Sequence, residues 1–123
     1  MGRSQREKGK RGERQAAKAV QEATGLPARR GVQYQGGPES ADIDVECHGM
    51  HWEVKFVERE SVRAWMEQAV QDSGGKVPVV LHRRKGKEWL LTIQLGRLND
   101  FARRMAAAMD AQIPQVGPAE LPG

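Results

Sequence analysis

"ADIDVECHGMHWEVKF", residues 41–56, holds two alternating polar and apolar runs around a His-Gly pair. That is the pattern of a β-hairpin with one buried face. If His48 and Gly49 form a two-residue turn, Gly49 supplies the positive φ that such turns need. Val45 then stands opposite Trp52, Asp44 opposite Glu53, Ile43 opposite Val54 and Asp42 opposite Lys55. Alternation puts Ile43, Val45, Cys47, Met50, Trp52, Val54 and Phe56 on a core face. The other face gathers Asp42, Asp44, Glu46, His51, Glu53 and Lys55.

A one-residue slip would set acids against apolar partners, so the pattern fixes which side of each strand faces inward. Two carboxylates about 4 Å apart repel by roughly 4 kcal/mol at an effective dielectric of 20, and like charges across a ladder are normally avoided. Solvent screening on an open face relieves this repulsion. A hard divalent cation, which takes carboxylate oxygens, relieves it equally well. Glu13 bears on the choice. It precedes Ala16 and Ala17 by three and four residues, and so projects from the apolar side of a helix toward whatever that helix covers.

That helix is expected over about Glu13–Thr24, with Ala16, Ala17, Val20 and Ala23 at helical spacing, Gly25 just past its end and Pro27 blocking resumption. A short strand is expected near residues 29–35, before a Gly-Gly-Pro loop, and the hairpin follows. "ESVRAWMEQAVQDSGG" is the clearest helix, with Val62, Trp65, Met66, Ala69 and Val70 along one face. "KVPVVLHRR" and "EWLLTIQL" are strands joined by a polar turn. "GRLNDFARRMAAAMD" is a last helix. The order α-β-β-β-α-β-β-α predicts an α/β (α+β) domain with a central mixed β-sheet flanked by helices. Residues 9–109 form that domain. A basic arm over residues 1–8 is expected to be flexible, as is a Pro/Gly-rich tail over residues 110–123.

At 123 residues the chain suits one hydrophobic core. Its apolar content of 38% includes no run approaching the roughly 20 residues of a membrane span, and the charged start lacks the apolar stretch of a secretory signal. Cys47, the lone cysteine, excludes an internal disulfide and fits a reducing cytoplasm. The net charge of +4 divides unevenly, with +6 in residues 1–30 and −2 beyond. A basic arm in a chain of pI 9.6 suits a polyanion, because each cation seated on a phosphate releases a counterion.

Asp42 followed by Glu53-Val54-Lys55, with "GERQAAKAV" ahead of it, resembles the PD-(D/E)xK nuclease superfamily. The layout of a Gly-Glu helix, basic strand, Gly-Gly loop and acidic hairpin is similar to that of archaeal and phage-type Holliday-junction resolvases. The likeness covers roughly residues 9–95, with Ala41 where the family's proline often sits. It implies a restriction-endonuclease-like sheet and a nuclease requiring Mg²⁺ or Mn²⁺. Asp42, Glu53 and the Val54 carbonyl would hold the metal, and Glu13 would ligate it directly or through water. Asp44 would be an alternative to Asp42 or an auxiliary ligand. Lys55 would position the attacking water or stabilise the pentacovalent state. Gln68, preferred to Gln71, would fill the place of the glutamine that family members often carry on the next helix. Lys8, Lys10, Arg11, Arg29, Arg30, Gln33, Gln35, Arg83 and Arg84 are the expected DNA contacts. Branched DNA would be the substrate of a homodimer in the cytoplasm, that of the host for a phage-encoded chain. The competing expectations are a silent nucleic-acid-binding module and a flap- or end-processing nuclease.

Other constellations are weaker. Cys47, His48 and His51 invite zinc, but Cys47 faces the core and a structural site needs four ligands; His51, beside the acidic face, is placed to touch DNA or support a carboxylate, but reads first as a surface histidine. His82, Arg83, Arg84, Lys85 and Lys87 make a basic turn able to grip phosphate. Trp65 and Trp89 fall on apolar faces and read as core rather than as stacking platforms.

Overall fold

The computed structural model describes residues 3–31, 41–56, 59 and 61–112, with side chains in the first helix from Gly9 onward. Eight elements follow the expected order: α1 (Arg3–Thr24), β1 (Ala28–Arg30), β2 (Ile43–Val45), β3 (Met50–Phe56), α2 (Val62–Asp72), β4 (Val77–Arg83), β5 (Leu90–Ile93) and α3 (Leu98–Gln112). A 3₁₀ turn, Leu95–Arg97, leads into α3. The strands form one mixed sheet in the order β1-β2-β3-β4-β5. β3 and β4 are parallel and the other neighbours antiparallel. The protein is therefore a mixed α+β domain whose five-stranded sheet is flanked by helices.

On one face, Ala16, Ala17 and Val20 of α1 join Ile43, Met50, Trp52, Val77, Val79 and Leu81 in a single cluster. Phe101, Met105 and Ala108 of α3 pack against it. The small residues of α1 let its backbone approach the strands closely. The opposite face is covered by α2, which joins β3 to β4 and buries Ala69 completely, as Val80 is buried on the sheet. Both faces of the central strands are thus covered, as a parallel crossover requires.

Pro78 sits within β4, in the middle of the sheet, where its missing N–H would normally disrupt a ladder. The neighbouring Val77 N–H donates to Gly49 O on the β3 side at 2.8 Å, so alternation directs the Pro78 nitrogen toward β5. Pairing with β5 begins only at Val79, and no ladder bond is lost.

Three expectations need correction. The first helix begins at Arg3 rather than near Glu13, so the basic segment expected to be a flexible arm is the opening of α1. Its Arg, Gln, Glu and Lys residues are good helix formers, and two glycines do not break it. β1 ends at Arg30, and Gln33 and Gln35 lie outside the described residues. The hairpin register is shifted by two residues, with Ile43 rather than Val45 opposite Trp52. Tertiary contacts override the tight turn: Glu46 N–H donates to Pro27 O at 2.9 Å, and Arg104 Nη1 donates to His48 O at 3.1 Å. Because the shift is even, every side chain keeps its expected face.

Candidate active site

The register shift decides which acids meet. Asp42 stands just before β2, with its N–H donating to Trp52 O at 2.9 Å. Its Oδ2 accepts the Val54 N–H at 2.8 Å. Glu53, on the α2 side of β3, is 5% exposed, and the Asp42 and Glu53 carboxyls hydrogen-bond to one another. Asp44, expected opposite Glu53, instead pairs with Arg29 across β1 and is exposed. The close carboxylate pair of this hairpin is Asp42–Glu53.

Burial pushes the Asp42 carboxyl up to about 7; the Val54 N–H pulls the other way, and the Glu53 and Glu13 charges reinforce the rise. Burial also acts upward on Glu53, but hydrogen bonds from His51 and Asp42, with the charges of His51 and Lys55, outweigh it and hold Glu53 below the usual carboxylate range. Burial and the neighbouring charges thus favour the protonated form of Asp42, while hydrogen bonds favour the ionised form of Glu53.

His51 takes the carboxylate-supporting role that the sequence ranked behind a surface position. It is 2% exposed rather than at the surface, and its Nε2 lies 2.8 Å from Glu53 Oε1. One Glu53 oxygen is thereby fixed while Asp42 engages the carboxyl group as well. Lys55 lies two residues on, along the same face of β3, and its Nζ donates to Gln68 Oε1 on α2 at 3.3 Å. That contact joins the two residues expected to act together from different elements.

Glu13 comes from the other side. Gly12 beside it lies against Phe56, where an added Cβ would stand 3.4 Å from the Phe56 side chain, so α1 runs close to β3 here. Glu13 Oε1 accepts Arg30 Nε at 2.9 Å. Burial raises the Glu13 carboxyl despite this arginine, with Glu53 adding to the rise. Arg30, expected on DNA, thus has its Nε committed to Glu13. Gly31 braces the site from below. Its N–H donates to Asp42 O at 2.8 Å, and a Cβ there would run into Ala41 O and lie 3.1 Å from the Asp42 carbonyl.

Among the described residues no three acidic, histidine or cysteine side chains converge as a metal shell. What is present is a pair of neighbouring carboxyls, Glu53 buried and Asp42 half-buried, with the Val54 backbone beside it. An all-oxygen donor set of this kind fits a hard divalent cation, which would offset the repulsion between the two acids. Of the expected DNA contacts, Lys10, Arg11, Arg29 and Arg84 are exposed. Arg83 is half-buried, its Cζ 5.4 Å from the centroids of both Phe56 and Trp89. The side chain of Lys8 lies outside the described residues. No helix among the described residues is long and apolar enough to cross a membrane. No family model matches the chain, and neither a curated protein nor a solved structure matches it.

Proposed function

We propose that this chain is a divalent-metal-dependent DNA endonuclease that hydrolyses phosphodiester bonds in branched DNA. The observation that supports it best is the Asp42–Glu53 pair, with Asp42 fixed by the Val54 N–H, Glu53 fixed by His51, and Lys55 two residues along the same face of β3. A module that only bound DNA would gain nothing from acids turned toward phosphate, whereas a hydrolase needs them to hold its metal.

Asp42, Glu53 and the Val54 carbonyl would hold Mg²⁺ or Mn²⁺, which supplies charge neutralisation at the phosphate and a more acidic bound water. The chain's own residues do the remainder. His51 keeps one Glu53 oxygen in place, and the Val54 N–H orients Asp42. Lys55, steadied by Gln68, donates to the phosphate oxygen where negative charge builds. Glu13, tied to Arg30, adds a third carboxylate near the pair, for a water-mediated contact. Lys10, Arg11, Arg29 and Arg84 seat the backbone without reading bases, so substrate choice falls to DNA shape. Paired cuts at a junction call for two such sites, hence a homodimer.

The test is cleavage of labelled four-way junction, flap and linear duplex in Mg²⁺ and in chelator. Wild type should cut the branched substrates in metal only. Glu53→Ala should abolish cleavage, and Lys55→Ala should slow it by about 10²–10³-fold while leaving DNA binding in Ca²⁺ intact. Tight binding without cleavage in any divalent metal would leave a binding module instead.

A further inference from the structure

Beyond the acid pair, at the carboxyl ends of the parallel strands β3 and β4, lies a cleft of about 220 Å³ lined by Trp65, His82, Arg83, Arg84, Lys87, Glu88 and Leu90. It adjoins the candidate active site through two connections. His82 is the register partner of Lys55, and Trp65 precedes Gln68 by three residues on α2, about one turn along the same face. A crevice outside the carboxyl ends of parallel strands is where open α/β sheets commonly take ligands.

The walls are rigid and of two kinds. His82 Nε2 is fixed 2.8 Å from Thr92 Oγ1, and its ring centroid lies 5.3 Å from that of Trp65 at 55°. Trp65 is thus held by a neighbouring ring yet is only half-buried, unlike the core residue that its helical spacing suggests. Arg83 is held over Phe56 and Trp89, whose centroids are 6.2 Å apart, and its Nε is buried without a hydrogen-bond partner among the described residues. Among the described residues lining it, Arg83, Arg84 and Lys87 bring positive charge and Glu88 negative, around an aromatic and aliphatic interior. The volume is below the roughly 300–1,000 Å³ of pockets that enclose whole small molecules, and so suits one planar group that remains attached to something larger outside.

We propose that this cleft receives one unpaired nucleotide of the DNA, its base against Trp65 and Leu90 and its phosphate on the Arg84 and Lys87 side. A paired base stays in its stack, so only a nucleotide freed at a branch, flap or gap can enter. Aromatic stacking and a cationic rim are together what holds a single strand without regard to sequence. The inference deepens the endonuclease reading by supplying a cue for branched substrates, and rests on its assignment of DNA as the partner, not on cleavage.

The experiment measures binding without turnover, in Ca²⁺, by fluorescence anisotropy. Duplexes carrying a short flap are compared with the same duplex fully paired, for wild type, Trp65→Leu and Trp65→Phe. The flap should bind more weakly to Trp65→Leu by about tenfold, with the paired duplex changed less than about twofold, and Trp65→Phe should restore most of the loss. A 2-aminopurine placed in the flap should be quenched by wild type and not by Trp65→Leu. Equal losses on both DNAs, or none on either, overturn the proposal even if the protein cuts DNA. Flap-selective loss sustains it even if no cleavage is ever seen.

Discussion

Replacing Asp42 by Asn should stabilise the protein in the absence of metal, and the gain should depend on pH in a set direction. Burial pushes the folded carboxyl up to about 7, against 3.8 for the ordinary group. A group raised in this way contributes stability in full below pH 3.8, and loses it as pH rises through the folded value. At 1.36 kcal/mol per unit, ionising Asp42 in its buried setting costs up to about 4 kcal/mol by pH 8. Glu53 shifts the opposite way and offsets part of this, so about 2 kcal/mol is the working figure for the pair. Asparagine has no charge to desolvate. Its amide oxygen still accepts the Val54 N–H, and its NH₂ still donates to Glu53.

The assay is thermal unfolding in chelator from pH 4 to pH 8. Asp42→Asn should melt about 8 °C above wild type at pH 8, and the gap should shrink toward nothing at pH 4. Added Mg²⁺ should raise wild type at pH 8, by about 2.7 kcal/mol at a hundredfold excess over its dissociation constant, and leave the variant where it was. A gap that does not vary with pH would refute the reasoning, because it would mean that the carboxyl is neither desolvated nor crowded by Glu53. A variant less stable than wild type at pH 8 would refute it as well.

Two glycines give further tests by close approach. Gly31→Ala should displace Ala41 and Asp42, because the added Cβ meets their carbonyls; DNA cleavage should fall at least tenfold while the variant still folds, as near-ultraviolet circular dichroism can establish. Gly49 combines φ +86° with the Arg104 guanidinium lying where a Cβ would go. Gly49→Ala should therefore cost about 1–3 kcal/mol in urea unfolding, and Arg104→Ala in the same background should recover part of that through relief of the clash.

The elements and their order were readable because each carries a strong periodic signal. The core face of the hairpin survived an incorrect register because an error of two residues leaves side-chain direction unchanged. The acid pairing did not survive it. Whether Asp42 or Asp44 meets Glu53 depends on two residues of slip, and these were set by contacts from Pro27 and Arg104, remote in sequence. The start of α1 was hidden for a different reason: a run of basic residues interrupted by Gly9 and Gly12 resembles a solvated arm, although its Arg, Gln, Glu and Lys residues favour a helix.

The burial of His51 has its own cue in the sequence. On the hairpin alone it belongs to the polar face and looks exposed. Yet "VPVV" at residues 77–80 is a continuous apolar run, the mark of a strand buried on both sides. A helix between the hairpin and that run makes β4 parallel to its neighbour, so α2 must cross the face on which His51, Glu53 and Lys55 lie. Polar residues midway along β3 are then forced under a helix, where each has to find a partner. Histidine two residues from glutamate along a strand supplies one directly. At Asp42 the sheet opens, and the side chain takes the Val54 N–H that a continuing strand would have bonded. The carboxylate that completes the ladder is thus the one brought beside Glu53, so this acid pair follows from where β2 stops pairing as much as from which residues it carries.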